Sequence, residues 1–231
     1  MLIGGFEPCS LIDYPGKIGC IVYTVGCNYR CEFCYNPDII SEENFKKSNR
    51  RLIPEEEIFN YIKKNKNMID GVSLTGGEPT MQLDIDKFCH KIKKLGKLVK
   101  LDTNGSNPQV IEHLIKKKII DYIAMDLKGP LKKYKSVAGV TSTDSVPRSI
   151  ELVKNSGLPH EFRLTLYPQL KKQDVIAAIS LVPGETVYLQ QFEPEYAYAP
   201  AARKMMPMNK STIDEIIEET KGIANVHLRG F

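Results

Sequence analysis

The sequence predicts an α/β fold in which six strand–helix units follow one another along the chain. Two observations predict it: short apolar or β-branched runs recur, and each is followed by a segment with helical periodicity. Such alternation favours parallel strands joined by crossover helices. Each run is short enough for a buried strand, and the six runs cover residues 20–24, 72–75, 98–102, 122–126, 162–166 and 187–191.

Boundary signals support the helices between these strands. Pro54 opens PEEEIFNYIKK, which has acids in its first turn and lysines in its last, as the helix dipole favours. Gly96 and Gly157 stand where two helices would end, and Asn107 with Pro108 suits the start of another. Helices are therefore predicted over 54–64, 86–95, from 107 onward, and over 145–156, 171–179 and 211–221.

Eight such units close a full barrel, so six predict a partial, TIM-like (β/α)6 barrel. A doubly wound open sheet is the alternative, and the sequence pattern does not separate the two. In both folds the loops that leave the carboxyl ends of the strands share one rim. Residues that carry chemistry should therefore lie on those loops.

Length and charge limit the function. A chain of 231 residues suits one domain, and a net charge of +4 from 32 basic and 28 acidic residues indicates no nucleic-acid partner. No apolar stretch approaches the roughly 18 to 20 residues of a membrane span, and the N-terminus does not read as a secretion signal. We therefore expect a cytoplasmic protein without a membrane partner, in which clustered cysteines indicate metal or redox chemistry.

Three of the six cysteines lie in a stretch of eight residues inside the segment TVGCNYRCEFCYNP at 24–37. Cys27, Cys31 and Cys34 follow the first predicted strand. Zinc normally takes a fourth ligand, often from a second cysteine pair, and no second pair exists here. Three thiolates suit a [4Fe–4S] cluster whose fourth iron is left open for a ligand. The alternative is three unrelated buried thiols.

Polar residues also end or follow the other five predicted strands. The turn GGEP at 76–79 lets backbone approach a ligand, and Arg163 in an otherwise apolar strand requires an anionic partner. A tight turn at DTNG and a structural ion pair in DLK remain alternatives to ligand contacts. The candidate residues are Gly76, Gly77, Glu78, Asp102, Asn104, Asp126, Lys128, Arg163 and Gln190.

The chain resembles the radical SAM enzymes. The resemblance lies in the loop CNYRCEFC at 27–34, with Phe33 as its aromatic residue, in the GGEP turn and in the six units. SLIDYPGK at 10–17, DTNG, MDLKGP and the compact length make the chain similar to anaerobic ribonucleoside-triphosphate reductase activating proteins, relatives of the pyruvate formate-lyase activating enzyme. The resemblance implies a radical SAM type of partial barrel and one domain over 1–231 with a short N-terminal extension at 1–18.

The resemblance also implies roles for the candidate residues. Cys27, Cys31 and Cys34 would hold one [4Fe–4S] cluster, and Phe33 would shield it from water. The other candidates would bind S-adenosylmethionine: Gly76, Gly77 and Glu78 at its amino group, Asp102, Asp126 and Lys128 on the sulfonium and carboxylate side, Gln190 near the ribose, and Asn104 at no assigned group. Arg163 would neutralise a carboxylate or fix the two aspartates, between which a monovalent cation could bind.

The implied partners are a glycyl radical enzyme as protein substrate and an electron donor such as flavodoxin or ferredoxin. Asp13 and Tyr35 lie beside the cysteine loop, where similar activases contact their substrate, although many activases have histidine at the position of Tyr35. A radical SAM enzyme acting on a pterin-like small molecule is the second interpretation, and a non-catalytic metal or electron-carrier module is the third. Cys9, Cys20 and Cys89 are predicted to be structural.

Overall fold

The protein is represented by a computed structural model, which describes residues 1–140 and 142–231. Its strands are β1 Ile3–Ser10, β2 Gly19–Thr24, β3 Gly71–Gly76, β4 Leu98–Thr103, β5 Tyr122–Leu127, β6 His160–Thr165, β7 Thr186–Gln190 and β8 Asn225–Arg229. Its helices are α1 Glu42–Lys47, α2 Glu55–Lys64, α3 Ile85–Lys94, α4 Pro108–Lys116, α5 Tyr134–Ala138, α6 Ser145–Lys154, α7 Lys172–Ile179 and α8 Lys210–Glu219.

The eight strands form one sheet in the order β1 to β8, which is also their order in the chain. β1 runs antiparallel to β2, and every later neighbour pair is parallel. A doubly wound sheet reverses its strand order at a switch point, so this order excludes that alternative and confirms the partial barrel. Within the described ranges β1 and β8 pair with no further strand, which leaves an open seam between the two sheet edges.

The six predicted strands and six predicted helices are all present, with ends that differ by a few residues. The two edge strands were not predicted. β1 lies within the predicted N-terminal extension and contains two glycines and Pro8, which an edge strand tolerates because one side of its backbone is unpaired. β8 is mostly exposed and therefore lacks an apolar pattern. The short helices α1 and α5 were also missed.

The central strands place apolar and polar side chains on opposite faces. In β5, Ile123, Met125 and Leu127 are buried in the apolar core, whereas Asp126 points to the other face and lines a cavity. β6 follows the same alternation, with Arg163 between two buried apolar residues. The period of two along a strand therefore directs the charged side chains into the interior of the barrel.

The helix ends differ in one respect from the sequence prediction. Ser41 and Asn209 cap α1 and α8 by accepting backbone N–H groups with their side chains. Asn107 precedes α4 as predicted, but its side chain does not cap the helix and instead donates to the Thr80 hydroxyl at 2.9 Å. This contact ties the loop before α4 to the loop after β3. In the described ranges no helix has the length and apolar character needed to cross a membrane.

The GGEP turn after β3 is pressed against the chain that leaves β2. The Gly77 N–H donates to the Thr24 carbonyl at 2.9 Å, and the Glu78 N–H donates to the Gly26 carbonyl at 2.8 Å. Gly76 has φ +105°, and a Cβ on Gly77 would lie 2.1 Å from the Gly26 carbonyl oxygen. The glycines are thus required by the close approach of two backbone segments, and the approach of this turn to a ligand stays a prediction.

Replacing Gly77 by alanine should destabilise the protein, because the clash is with backbone that no side-chain rotation can relieve. We expect a loss of about 3 kcal/mol in the free energy of unfolding, the upper part of the range for overpacked sites. Chemical denaturation measures it. Gly96→Ala is the matched control: its φ of +72° makes alanine unfavourable, but nothing lies within 4 Å of the new Cβ. An equal or smaller loss for Gly77→Ala would contradict the close-approach argument.

Candidate active site

One cavity lies at the carboxyl ends of the parallel strands, where the loops that leave them meet. Its volume is about 420 Å³, which is within the range of small-ligand sites. All the candidate residues line it, and so do Asp13 and Tyr35. These candidates are Cys27, Cys31, Phe33, Cys34, Gly76, Gly77, Glu78, Asp102, Asn104, Asp126, Lys128, Arg163 and Gln190. The structure therefore brings together residues from six different strand ends.

The cysteine loop follows β2 and is held by backbone hydrogen bonds at two points. The Cys27 N–H donates to the Ile40 carbonyl at 2.9 Å, and the Arg30 N–H donates to the carbonyl of Ala138, at the end of α5, at 2.8 Å. The Arg30 guanidinium also donates to the Cys27 carbonyl at 2.5 Å. The loop that carries the three thiols is therefore fixed against both its own return segment and a neighbouring helix.

Cys31 is buried, and Cys27 and Cys34 are half-buried. Burial raises the pKa of the Cys27 thiol to about 12 and that of Cys31 to about 11, and it also raises the pKa of Cys34. Metals bind thiolates, so cationic iron would have to stabilise the deprotonated form. Among the described residues, no group of three or more histidine, cysteine, aspartate or glutamate side chains could hold a single metal ion.

Glu78 ties the loop after β3 to the loop after β4. Its carboxylate accepts hydrogen bonds from the Thr80 N–H at 3.1 Å, from the Thr103 hydroxyl at 2.8 Å and from the Asn104 N–H at 2.7 Å. Glu78 is almost fully buried, and burial raises the pKa of its carboxyl group despite these donors. Because the Glu78 carboxylate accepts these hydrogen bonds from the protein, it holds the loops after β3 and β4 together.

A chain of alternating charges crosses β4, β5 and β6. The Arg163 guanidinium bridges two carboxylates, donating to Asp102 at 2.9 Å and to Asp126 at 2.7 Å. Lys100 pairs with Asp102 at one end, and Lys128 pairs with Asp126 at 3.0 Å at the other. Neighbouring strands in register, with Asp126 opposite Arg163, produce this alternation.

These charges are mutually stabilised. Burial favours neutral carboxyl groups, but Arg163 and the paired lysine together outweigh it, so the pKa values of Asp102 and Asp126 lie below their usual range. Burial likewise opposes a charged lysine, yet the Asp126 carboxylate raises the pKa of Lys128 above its ordinary value. Asp102, Asp126 and Lys128 are therefore charged at neutral pH.

The Arg163 ion pairs confirm one predicted role of this residue and do not test the predicted cation site. Arg163 fixes the two aspartates, which was one of its two expected roles. The Asp126–Lys128 ion pair considered as a structural alternative is present, and both residues also line the cavity. A monovalent cation between the aspartates stays a prediction. In this structure the Arg163 guanidinium joins the two carboxylates.

Asn104 contacts the cysteine loop. Its side-chain amide donates to the Asn28 oxygen at 3.0 Å and lies 3.9 Å from the Cys27 sulfur. Phe33 packs on the other side of the loop, with its ring centroid 5.1 Å from that of Tyr167, and the Lys128 ammonium lies 5.6 Å from the Phe33 centroid. The thiols are thus enclosed by polar contacts on one side and by aromatic rings on the other.

Tyr35 joins the cysteine loop to the segment after β7. Its hydroxyl accepts the Glu193 N–H at 2.7 Å and lies 3.3 Å from the Gln191 carbonyl. The ring remains 39% exposed, so Tyr35 has both a structural contact and a free face. Asp13 lies in the loop after β1 and accepts the Ser10 hydroxyl at 2.5 Å.

Several contributors to this site were missed from the sequence, and Lys100, Arg229 and Tyr29 are among them. Lys100 lies two residues before Asp102 and therefore on the same strand face, a period-two signal that could have identified it. Arg229 lines the cavity from β8, the edge strand that was not predicted. Tyr29 lines it from inside the cysteine loop, where no sequence signal distinguishes a buried hydroxyl from an ordinary loop tyrosine.

The remaining cysteines lie outside the cavity. Cys20 and Cys89 are fully buried in the apolar core, as a structural role requires. Cys9 is exposed on β1, so it does not pack in the core as a structural cysteine was expected to do.

Known proteins are similar to this chain in sequence or in fold. A Methanocaldococcus jannaschii protein named "Putative glycyl-radical enzyme activating enzyme" is 36% identical over 217 residues, which is 90% of this chain and 87% of the relative. The pyruvate formate-lyase-activating enzyme of Listeria monocytogenes is 32% identical over 132 residues, 53% of this chain and 51% of that enzyme. The crystal structure of Streptococcus suis SuiB bound to the precursor peptide SuiA has the same fold, with a TM-score of 0.69 at 17% identity, covering 91% of this chain and 48% of SuiB.

The sequence also matches the family model described as the Radical SAM superfamily over residues 21–182, which is more than half of the chain. Enzymes of this superfamily use a [4Fe–4S] cluster and S-adenosylmethionine. The match includes the cysteine loop, the GGEP turn and the strand ends that carry the charge chain. This protein therefore belongs to the Radical SAM superfamily of enzymes.

Proposed function

We propose that the protein is an activase that generates a glycyl radical on a partner enzyme, and that the partner is an anaerobic ribonucleoside-triphosphate reductase. The observation that carries the proposal is the lining of the cavity, which includes the three thiols and also residues that adjoin the two edges of the open seam. Asp13, after β1, and Arg229, in β8, line it from the two sheet edges. The name of the Methanocaldococcus relative supports the same activity.

The residues of the cavity fit the cofactors of the superfamily. Cys27, Cys31 and Cys34 would hold the cluster, because three thiols on one loop suit three irons of a [4Fe–4S] cluster and leave the fourth iron open. When bound, the cluster supplies the electron that splits S-adenosylmethionine into methionine and a 5′-deoxyadenosyl radical, which becomes 5′-deoxyadenosine by taking one hydrogen atom from the substrate. The protein's contribution is position, charge and exclusion of water.

The charge chain would orient the cosubstrate. Lys128 is the cationic end of the chain that faces the cavity, and it suits the carboxylate of S-adenosylmethionine. Asp126 and Asp102 present negative charge toward a cationic sulfonium group. Gly76, Gly77 and Gln190 would contribute backbone and amide contacts to the amino group and the ribose. Arg163 holds the two aspartates apart and in place, so it acts as a positioning residue.

The seam would admit the substrate. A backbone glycine can reach the cavity only if the barrel is open at one side, and in the described part of the chain no strand closes the gap between β1 and β8. The segment 193–209 packs on the cysteine loop, where the Ala199 N–H donates to the Glu32 carbonyl at 2.9 Å. Asp13 and Tyr35 would grip the loop of the partner, and flavodoxin or ferredoxin would supply the electron.

Replacing Cys31 by alanine should remove the iron. Anaerobic reconstitution of the unaltered protein should give about four irons per chain, because only three thiols share the cavity. The variant should lose the cluster absorbance and all cleavage of S-adenosylmethionine. Cys89→Ala is the control, since this buried thiol lies in the core and outside the cavity, and it should retain the iron. A full cluster in the Cys31 variant would disprove the ligand assignment.

Replacing Lys128 by methionine should weaken cosubstrate binding and leave the cluster spectrum intact. Asp126 keeps Arg163 as its partner in this variant, so no unpaired carboxylate remains and the loss should fall on the ligand. We expect about a tenfold lower affinity for S-adenosylmethionine, equivalent to about 1.4 kcal/mol, measured by equilibrium binding to the reconstituted protein.

Lys100→Met is the matched control, because Lys100 ends the same charge chain but does not line the cavity. Its affinity for S-adenosylmethionine should change by less than that of the Lys128 variant. Equal losses in the two variants would indicate that disruption of the charge chain, and not a direct contact, lowers the affinity.

Deuterium transfer identifies the substrate. The reduced protein is incubated with S-adenosylmethionine and the glycyl segment of the reductase carrying a glycine deuterated at Cα. We expect the label in 5′-deoxyadenosine and a glycyl signal by electron paramagnetic resonance. Asp13→Ala should bind this segment less well while still cleaving S-adenosylmethionine. Label that transfers from a small metabolite, and never from a glycine segment or intact partner, would replace the activase proposal with the small-molecule interpretation.

A further inference from the structure

The Tyr29 hydroxyl is buried without a hydrogen-bond partner. Tyr29 is only 4% exposed, and it is among the three residues in the described ranges that bury an unpaired side-chain oxygen or nitrogen. Burying a hydroxyl without a partner costs free energy, so native proteins leave few such groups. Tyr29 is one of the residues that line the cavity, so a group bound there is the candidate partner for its unpaired hydroxyl.

The ring is held so that the hydroxyl cannot turn to solvent. Tyr29 packs edge-on against the buried Tyr134, with ring centroids 6.4 Å apart at 88°. Tyr134 is itself fixed, because its hydroxyl accepts the Lys128 N–H at 3.2 Å. The direction of the Tyr29 side chain is thus set by packing before any ligand binds.

The position of Tyr29 in the chain favours the cluster as its partner over the cosubstrate. Tyr29 is the middle residue of the three that separate Cys27 from Cys31, and its backbone N–H lies 3.4 Å from the Cys27 sulfur, to which it donates. Both flanking thiols line the same cavity. Ligation converts them to thiolates and brings in sulfides, which are hydrogen-bond acceptors in need of donors.

We propose that the Tyr29 hydroxyl donates a hydrogen bond to a sulfur of the bound cluster and thereby raises its reduction potential. A donated hydrogen bond stabilises the reduced cluster, which carries one more negative charge than the oxidised form. The inference rests on the cysteine-ligand assignment and is independent of the substrate. It makes Tyr29 a positioning residue that tunes the cluster without touching the reacting carbon atoms.

Tyr29→Phe tests this, because it removes the hydroxyl and keeps the ring. Potentiometric titration of the reconstituted protein, followed by the electron paramagnetic resonance of the reduced cluster, should show a more negative midpoint. We expect about a tenfold lower ratio of reduced to oxidised cluster at a fixed potential, which is about 59 mV for one electron. Pulsed electron–nuclear double resonance in H2O and D2O should also show that the variant lacks one exchangeable proton that is coupled to the cluster in the unaltered protein.

Tyr134→Phe is the matched control, because it removes a neighbouring buried hydroxyl that bonds to the protein and does not line the cavity. It should retain both the midpoint potential and the exchangeable proton. An equal shift in both variants would assign the effect to packing and overturn the proposal. An unchanged midpoint potential in Tyr29→Phe would overturn the proposal as well. If the affinity for S-adenosylmethionine fell in that variant, the hydroxyl would be assigned to the cosubstrate; if the affinity also stayed unchanged, the hydroxyl would bind neither group. Iron content and potential are measured without substrate, so failure here is distinct from failure of the activase proposal.

Discussion

The geometry of the site depends on the double ion pair that Arg163 makes with Asp102 and Asp126. Isolated charges are unfavourable in a protein interior, and each of these is tolerated because a neighbour of opposite sign lies within hydrogen-bonding distance. The pairs join β4, β5 and β6 at their carboxyl ends, where the cavity begins. Strand register and site geometry are therefore coupled, since a one-residue slip of β6 would move Arg163 to the opposite face of the sheet.

A second set of contacts connects the charge chain to the cysteine loop. Glu78 receives donors from the loops after β3 and β4, and Asn104 extends from the second of these loops to Asn28 beside Cys27. The glycine turn adds backbone contact between Gly77 and the chain that leaves β2. Groups proposed to bind the cosubstrate are thus rigidly connected to groups proposed to bind the cluster. Such connection suits a reaction in which an electron passes from one cofactor to the other.

The second functional feature is the gap between the two edges of the sheet, β1 and β8. A closed barrel would surround the radical with protein, which suits a small substrate that can diffuse in. Here the antiparallel β1 and the exposed β8 form two free edges, and Asp13 and Arg229 bring the cavity to them. The segment after β7 is held to the cysteine loop through Tyr35 and Ala199, so it forms a wall of the site. This combination favours a substrate that enters as a loop of another protein.

The sequence by itself determined the six strand–helix units and the residues at the strand ends, because periodicity, helix-end signals and cysteine spacing are local and survive without knowledge of contacts. Cys27, Asp126 and Lys128 could be named in this way. Tertiary structure alone decided the partners. The pairing of Arg163 with both aspartates, the inclusion of Lys100 and the burial of the Glu78 carboxyl group all depend on the register of separate strands. The edge strands β1 and β8 were hidden because an edge needs little apolar pattern, and the orphan Tyr29 hydroxyl is defined only by the packing around it.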